Sequence, residues 1–516
     1  MRTAGRQVAF GIALTALLVS PCIAFADPPP VVAHAVSHES GLLRVVLGLA
    51  LAFILAIAAA HPIVRRIERR LGLTVLLSSG LPFLAMGVIF RLPSVGILTD
   101  TVVDDLRPAL EFGIGWLGFV VGMQFDVREL DLVPEKTGGV VAAESAIPLV
   151  TTAIACSALL VALDPRFSFS SFASTKEALL GAATRAPLRD ALALGACAAQ
   201  AAPVAAVAIA RGSGSVSAKI LEYVTRIDDV TGVVVLGLIC AFFRPTDAVS
   251  AWHLPHIAWL FVILGMGGTL GILTYILVRG AQSGAEEIAL LLGAIALSAG
   301  MSGYLGISPL VTCAIAGALL TNLPNKNFAR LRATMTQVER PLYLIFLLVA
   351  GALWDPTAWQ GWVLMPIFVL ARVSGKLMGA HVAKRIGPAE LPDATTLGLA
   401  LSPQSPIAIA TIVSYVTLYK HQAAESEGDS TNLPWLMTAC IGGAVMTELV
   451  VQLIARMRGG LKFEMGDLRH SMASMSPASL PAMGPDSFTP NVEIPKVMPL
   501  PSIDPTTGES GSRDEP

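Results

Sequence analysis

After its first 26 residues the chain is dominated by about thirteen apolar stretches, each near the ~20 residues an α-helix needs to cross a hydrocarbon core. They lie near 41–61, 71–90, 106–124, 138–162, 188–209, 219–243, 253–279, 284–302, 305–323, 337–354, 358–381, 394–417 and 434–456. A bilayer offers the backbone no hydrogen-bond partner, so long apolar stretches of this kind become helices. The expected fold class is therefore an all-α polytopic membrane protein. Composition agrees, with 54% hydrophobic and only 14% charged residues and a mean hydropathy of +0.68. The net charge of −2 gives no basic footprint for nucleic acid. Five of the six cysteines (Cys156, Cys197, Cys240, Cys313, Cys440) sit in apolar stretches without metal-ligand spacing, so neither a metal nor another cofactor is expected.

Arg2 and Arg6, the apolar run from Val8 to Ser20 and Ala24-Phe25-Ala26 together predict a signal peptide over 1–26. A short external segment over 27–40 would follow, then a membrane domain over 41–462. From Phe463 the sequence turns to Pro, Ser, Met and Asp with no hydrophobic period, which predicts a disordered tail over 463–516. Basic residues orient the spans: Arg65, Arg66, Arg69 and Arg70, then Arg128 and Lys136, Arg211 and Lys219, Lys326, Arg330 and Arg332, and Lys384 and Arg385 fall on one side. That side is cytoplasmic, with the N-terminus outside and the tail inside a bacterial-type plasma membrane. The loop from Asp164 to Arg189, which carries basic residues on the opposite side, is the exception.

Against this apolar background, Asp228-Asp229 opens the run Val230-Thr231-Gly232-Val233-Val234-Val235-Leu236. A carboxylate at membrane depth costs about 2.5–3.5 kcal/mol on insertion scales and marks an ion or proton path. Neighbours on a helix point ~100° apart, so the two acids cannot both face one small ion squarely. Upstream, Gln200-Ala201-Ala202-Pro203 interrupts the fifth span; Gln404-Ser405-Pro406 interrupts the twelfth in the same way. Paired interruptions in the two halves predict inverted-topology repeats with two discontinuous, crossing helices, whose freed backbone groups coordinate a cation.

Four segments carry a resemblance. They are Leu117-Gly118-Phe119-Val120-Val121-Gly122-Met123-Gln124-Phe125-Asp126, Leu305-Gly306-Ile307-Ser308-Pro309-Leu310 continuing to Thr321-Asn322, Leu397-Gly398-Leu399-Ala400-Leu401-Ser402-Pro403-Gln404, and Ile227-Asp228-Asp229. In this order they resemble the monovalent cation:proton antiporter superfamily, with its sodium/hydrogen exchanger type membrane domain. The resemblance implies a secondary transporter rather than an enzyme, exchanging a monovalent cation for H+ by alternating access, as a homodimer. Sodium is favoured over potassium. A potassium-efflux type antiporter and a transport-inactive sensor or scaffold are the alternatives.

The resemblance also implies roles. Asp229 would bind cation and proton in competition, and Asp228 would engage a basic residue of a later helix. Arg372, deep in its span, is the expected partner; Lys376, one turn later, is expected to snorkel to the cytoplasmic surface. Family members often carry Thr or Ser beside the first broken helix's proline, whereas Ala201, Ala202 and Ala205 flank Pro203 and leave Gln200 as the nearby side-chain oxygen. Glu448 in the last span reads either as a structural hydrogen-bonded group or as a coupled acid. Glu144 and Glu111 are expected to pack against polar backbone, and Glu286 and Glu287 to lie at the interface. Gly267 and Gly271 would allow a close helix approach, at a dimer face or an internal crossing.

Overall fold

The computed structural model describes residues 81–92, 98–130, 134, 136–163, 182–202, 215–244, 254–281, 283–324, 328–389, 391–425 and 432–457, together with residue 50. The expected signal peptide, external segment, all of the first span but residue 50, Pro203 and the C-terminal tail lie outside these residues. What is described is helical: α1 (Leu81–Arg91), α2 (Asp100–Asp105), α3 (Arg107–Met123), α4 (Val127–Leu130), α5 (Thr137–Leu163), α6 (Ala182–Ala199), α7 (Ser215–Phe242) and α8 (His256–Gly280). Then come α9 (Gly284–Tyr304), α10 (Pro309–Asn322), α11 (Phe328–Leu353), α12 (Trp359–Ile386), α13 (Ala394–Ala400), α14 (Pro406–Glu425) and α15 (Leu433–Met457). Among the described residues, α5, α8, α9 and α12 are long and apolar enough to cross a membrane. Large apolar side chains such as Ile154, Phe261 and Leu370 stand exposed on α5, α8 and α12, as a lipid-facing surface requires.

The helices sort into two bundles. In one, α10 packs on α3 and α8, α9 on α3, and α11 on α1. In the other, α5 packs on α12 and α6, α12 on α15 and α13, and α6 on α7 and α14. Small residues set the closest approaches. A Cβ at Gly267 would lie 2.7 Å from Ile315 Cβ and one at Gly271 2.9 Å from Ala316 Cα, so this glycine pair serves an internal crossing of α8 with α10. On α12, a Cβ at Gly375 would lie 2.6 Å from Pro148 Cα, and one at Gly379 3.0 Å from Ala143 O. That pair lets α12 lie directly on α5 around the Pro148 position. Thr151 Oγ1 donates to the carbonyls of Ile147 (2.9 Å) and Ala371 (3.3 Å), joining the two helices there.

The bundles meet where α7 faces α8 and α10, and where α14 faces α3 and α10. Polar ties cross this seam at the end where α7 finishes and α8 and α10 begin. The hydroxyls of Ser308 and Ser414 share a hydrogen bond of 2.7 Å. Arg244 donates to Leu305 O at 2.8 Å and lies 3.2 Å over the Trp259 ring. Lys420 reaches Asp104 at 3.0 Å, and Trp354 Nε1 donates to Thr438 Oγ1 at 2.9 Å.

Candidate functional site

The two interruptions meet. α6 ends at Ala199, and the chain beyond it runs extended at Ala201, paired antiparallel with Gln404 in the gap between α13 and α14. Ala202 N–H donates to Pro403 O at 2.9 Å. Two helix C-termini, those of α6 and α13, therefore bring their unpaired carbonyls to one place, each carrying partial negative charge.

Two basic side chains of α12, one turn apart and both fully buried, answer that charge. Arg372 donates to five carbonyls: Ser402 O (3.1 Å) from Nε, Cys197 O (3.0 Å) and Ala198 O from one terminal nitrogen, and Gln200 O (2.6 Å) and Pro403 O (3.2 Å) from the other. The planar five-donor fork of guanidinium suits this cage. Lys376 Nζ donates to Glu144 O, Ala199 O and Asp228 Oδ2, each at 2.8 Å. The expected pairing is thus corrected. Lys376, not Arg372, is the ion-pair partner of Asp228, and Lys376 does not snorkel but is sealed inside the bundle. The physical reason is reach: Arg372 is committed to the carbonyls of the crossing, while the next turn of α12 faces α7 and α5.

Asp228 and Asp229 diverge as their neighbouring positions on α7 require. Asp228 accepts from Lys376 and, through Oδ1, from Ser145 Oγ at 2.6 Å. Asp229 points elsewhere, buried, with Oδ1 lacking any hydrogen-bond partner and with the Ser405 hydroxyl beside its carboxyl group. Gln200 Nε2 donates to the Asp229 backbone carbonyl and to Thr411 Oγ1, both at 3.2 Å. This contact needs Gly232: a Cβ there would fall within the Gln200 side chain. Gln404 Nε2 reaches Cys440 Sγ at 2.9 Å, and Gln404 Oε1 is buried without a partner. Pro406 opens α14, whose first turn is capped by Ser405 Oγ accepting from Ile407 N–H at 3.2 Å.

Asp228, Asp229, Gln200, Arg372, Lys376, Gln404 and Ser405 therefore surround one crossing. The sequence reading missed Ser145 and Thr411. Ser145 sits beside Glu144 as a polar doublet in an apolar helix, the same kind of signal as the aspartate pair. The Glu144 carboxyl stands 3.9 Å from Lys376 Nζ, whereas Glu111, Glu286 and Glu287 lie on the helices of the other bundle. Glu111 pairs with Arg107 at 2.9 Å rather than with backbone. Glu287 is buried in the first turn of α9, where an interfacial position was expected, while Glu286 is exposed. Glu448 has its backbone on α15, and its side chain lies outside those described.

The model of the family described as sodium/hydrogen exchanger, transmembrane, matches residues 52–453. The chain belongs to the sodium/hydrogen exchanger family. Its fold is similar to that of the sodium proton antiporter MjNhaP1 from Methanocaldococcus jannaschii, with a TM-score of 0.55 at 14% identity, over 82% of this chain and 98% of that one. No curated protein matches the chain. Family membership makes this chain a multi-pass membrane protein of a cation and proton exchanger family, and it places the crossing in the family's transmembrane part.

Proposed function

We propose that this exchanger moves a monovalent cation, sodium in preference to potassium, against protons, and that Asp229 is the carboxyl for which the two compete. One observation carries the reading. Asp229 is a buried acid with an unpartnered oxygen, set beside an interrupted pair of helices whose excess negative charge is already taken up by Arg372 and Lys376. Those two cations are occupied, so neither neutralises Asp229 by a hydrogen bond. A proton or a small dehydrated cation satisfies it instead, and a carboxyl that accepts one at a time couples their movements. Ser405, Gln200 and Thr411 supply the nearby polar atoms that the alanines around Pro203 do not.

Access alternates as the α5–α7 and α12–α15 bundle rocks against its neighbour along the seam. The exchanger works in the plasma membrane as a homodimer with its N-terminus outside. The test is a dye-quench exchange assay in proteoliposomes over sodium, potassium and lithium. Wild type should move protons in response to sodium, and Asp229→Asn should abolish the response while the protein still folds. Normal exchange by the mutant would place the cation elsewhere, and silence of the wild type towards all three cations would favour a sensor.

A further inference from the structure

Glu144 lies on α5, seven residues in from Thr137, which is about 10 Å along the helix at 1.5 Å per residue. It is fully buried, and neither carboxyl oxygen has a hydrogen-bond partner. Lys376 Nζ is 3.9 Å from Glu144 Oε2. An ammonium has three protons to donate. Lys376 has spent all three, on the carbonyls of Glu144 and Ala199 and on Asp228. Glu144 is thus the one carboxyl at Lys376 that receives no donor. A buried carboxylate with no donor is costly, and holding a proton removes that cost. Among the described residues the groups facing it are Lys376 from α12, with Arg372 one turn away and committed to carbonyls, Asp228 from α7, and backbone at Ala199 from α6. Gly379 leaves it room, since a Cβ there would stand 3.4 Å from the Glu144 carboxyl carbon.

Lys376 therefore has two carboxyl seats, an occupied one at 2.8 Å and a vacant one at 3.9 Å. We propose that Glu144 is a further proton-carrying residue of the exchange site, neutral while Lys376 holds Asp228 and ionised when Lys376 turns to it. In that step the O–H bond of Glu144 breaks and one forms on Asp228. Lys376 keeps its three protons and moves one N–H from Asp228 to Glu144, so no charge enters or leaves. Asp228, now protonated beside Asp229, can pass its proton on as the cation departs, and Glu144 is reloaded from the aqueous side nearer the start of α5. This rests on the antiporter reading only for the use to which the proton is put.

Two measurements separate the ideas. Infrared spectra of the purified protein should contain a protonated-carboxyl band that disappears in Glu144→Gln, shifts in Glu144→Asp, and disappears in Asp228→Asn, where Lys376 has Glu144 as its sole carboxyl. Persistence of that band in Glu144→Gln, or in Asp228→Asn should the first variant not fold, overturns the proposal. In proteoliposomes, Glu144→Gln should keep the apparent sodium affinity, lose on the order of tenfold or more in maximal exchange rate, and change the pH profile, with Glu144→Asp restoring part of the rate. An unchanged rate and pH profile would make Glu144 a packing residue. Should the wild type exchange no cation, the antiporter reading fails, and the infrared bands still decide whether Glu144 carries the proton.

Discussion

Removing Arg372 tests the architecture of the crossing most directly. Its guanidinium gives five hydrogen bonds to carbonyls drawn from both interruptions. Arg372→Ala leaves five acceptors without that donor in a fully buried position. Hydrogen bonds inside membrane proteins average about 0.6 kcal/mol, so the floor of the loss is about 3 kcal/mol. Buried acceptors left unmade cost about 1–3 kcal/mol each, so the ceiling exceeds 5 kcal/mol. Against a total stability of about 5–15 kcal/mol, even the floor is a large fraction. Arg372→Lys keeps the charge but offers three donors on a point-like head, and should recover less than half of the loss. The assay is denaturant or thermal unfolding of the purified protein, read beside the yield of folded material. An Arg372→Ala variant within about 1 kcal/mol of wild type would refute the reasoning, because the carbonyl cage would then hold nothing together.

A double-mutant cycle between Asp228→Asn and Lys376→Met should show coupling of about 1–3 kcal/mol in unfolding free energy, and the cycle between Asp228→Asn and Arg372→Ala should show a clearly smaller coupling, since no hydrogen bond joins that pair. The opposite pattern would restore Arg372 as the partner of Asp228. Gly375→Ala pushes a methyl onto the Pro148 backbone and should destabilise by about 1–3 kcal/mol, measured by thermal unfolding, with exchange falling in parallel because α12 carries Lys376. A neutral effect would mean that α5 and α12 have slack there.

The helices were legible because a bilayer leaves the apolar stretches almost no other conformation. The meeting of the interruptions was legible too, from the repeated Gln and Pro at 200–203 and 404–406. Choosing between Arg372 and Lys376 was not. They lie one turn apart on one face, and the sequence shows neither how deep the helix runs nor what faces it. The apolar count ended the span near 381, which put Lys376 close to the surface. α12 in fact continues to Ile386, leaving ten residues, about 15 Å of helix, beyond Lys376. Glu144, Ser145 and Thr411 were misjudged or missed for a related reason. Their partners are 83 to 232 residues away in the chain, and no local pattern records a contact of that range.

Among the described residues, four polar ties across the seam gather towards one end. Ser308 with Ser414, Arg244 with Leu305 and Trp259, Lys420 with Asp104, and Trp354 with Thr438 all sit towards the end where α7 and α11 finish. That end works as a clasp. Parting the bundles there means pulling a guanidinium off an indole face, separating two buried serines and breaking an ion pair in one concerted motion. A tilt that splays the opposite ends pulls least on these ties. In the rocking proposed above, the two directions would thus have unequal starting costs.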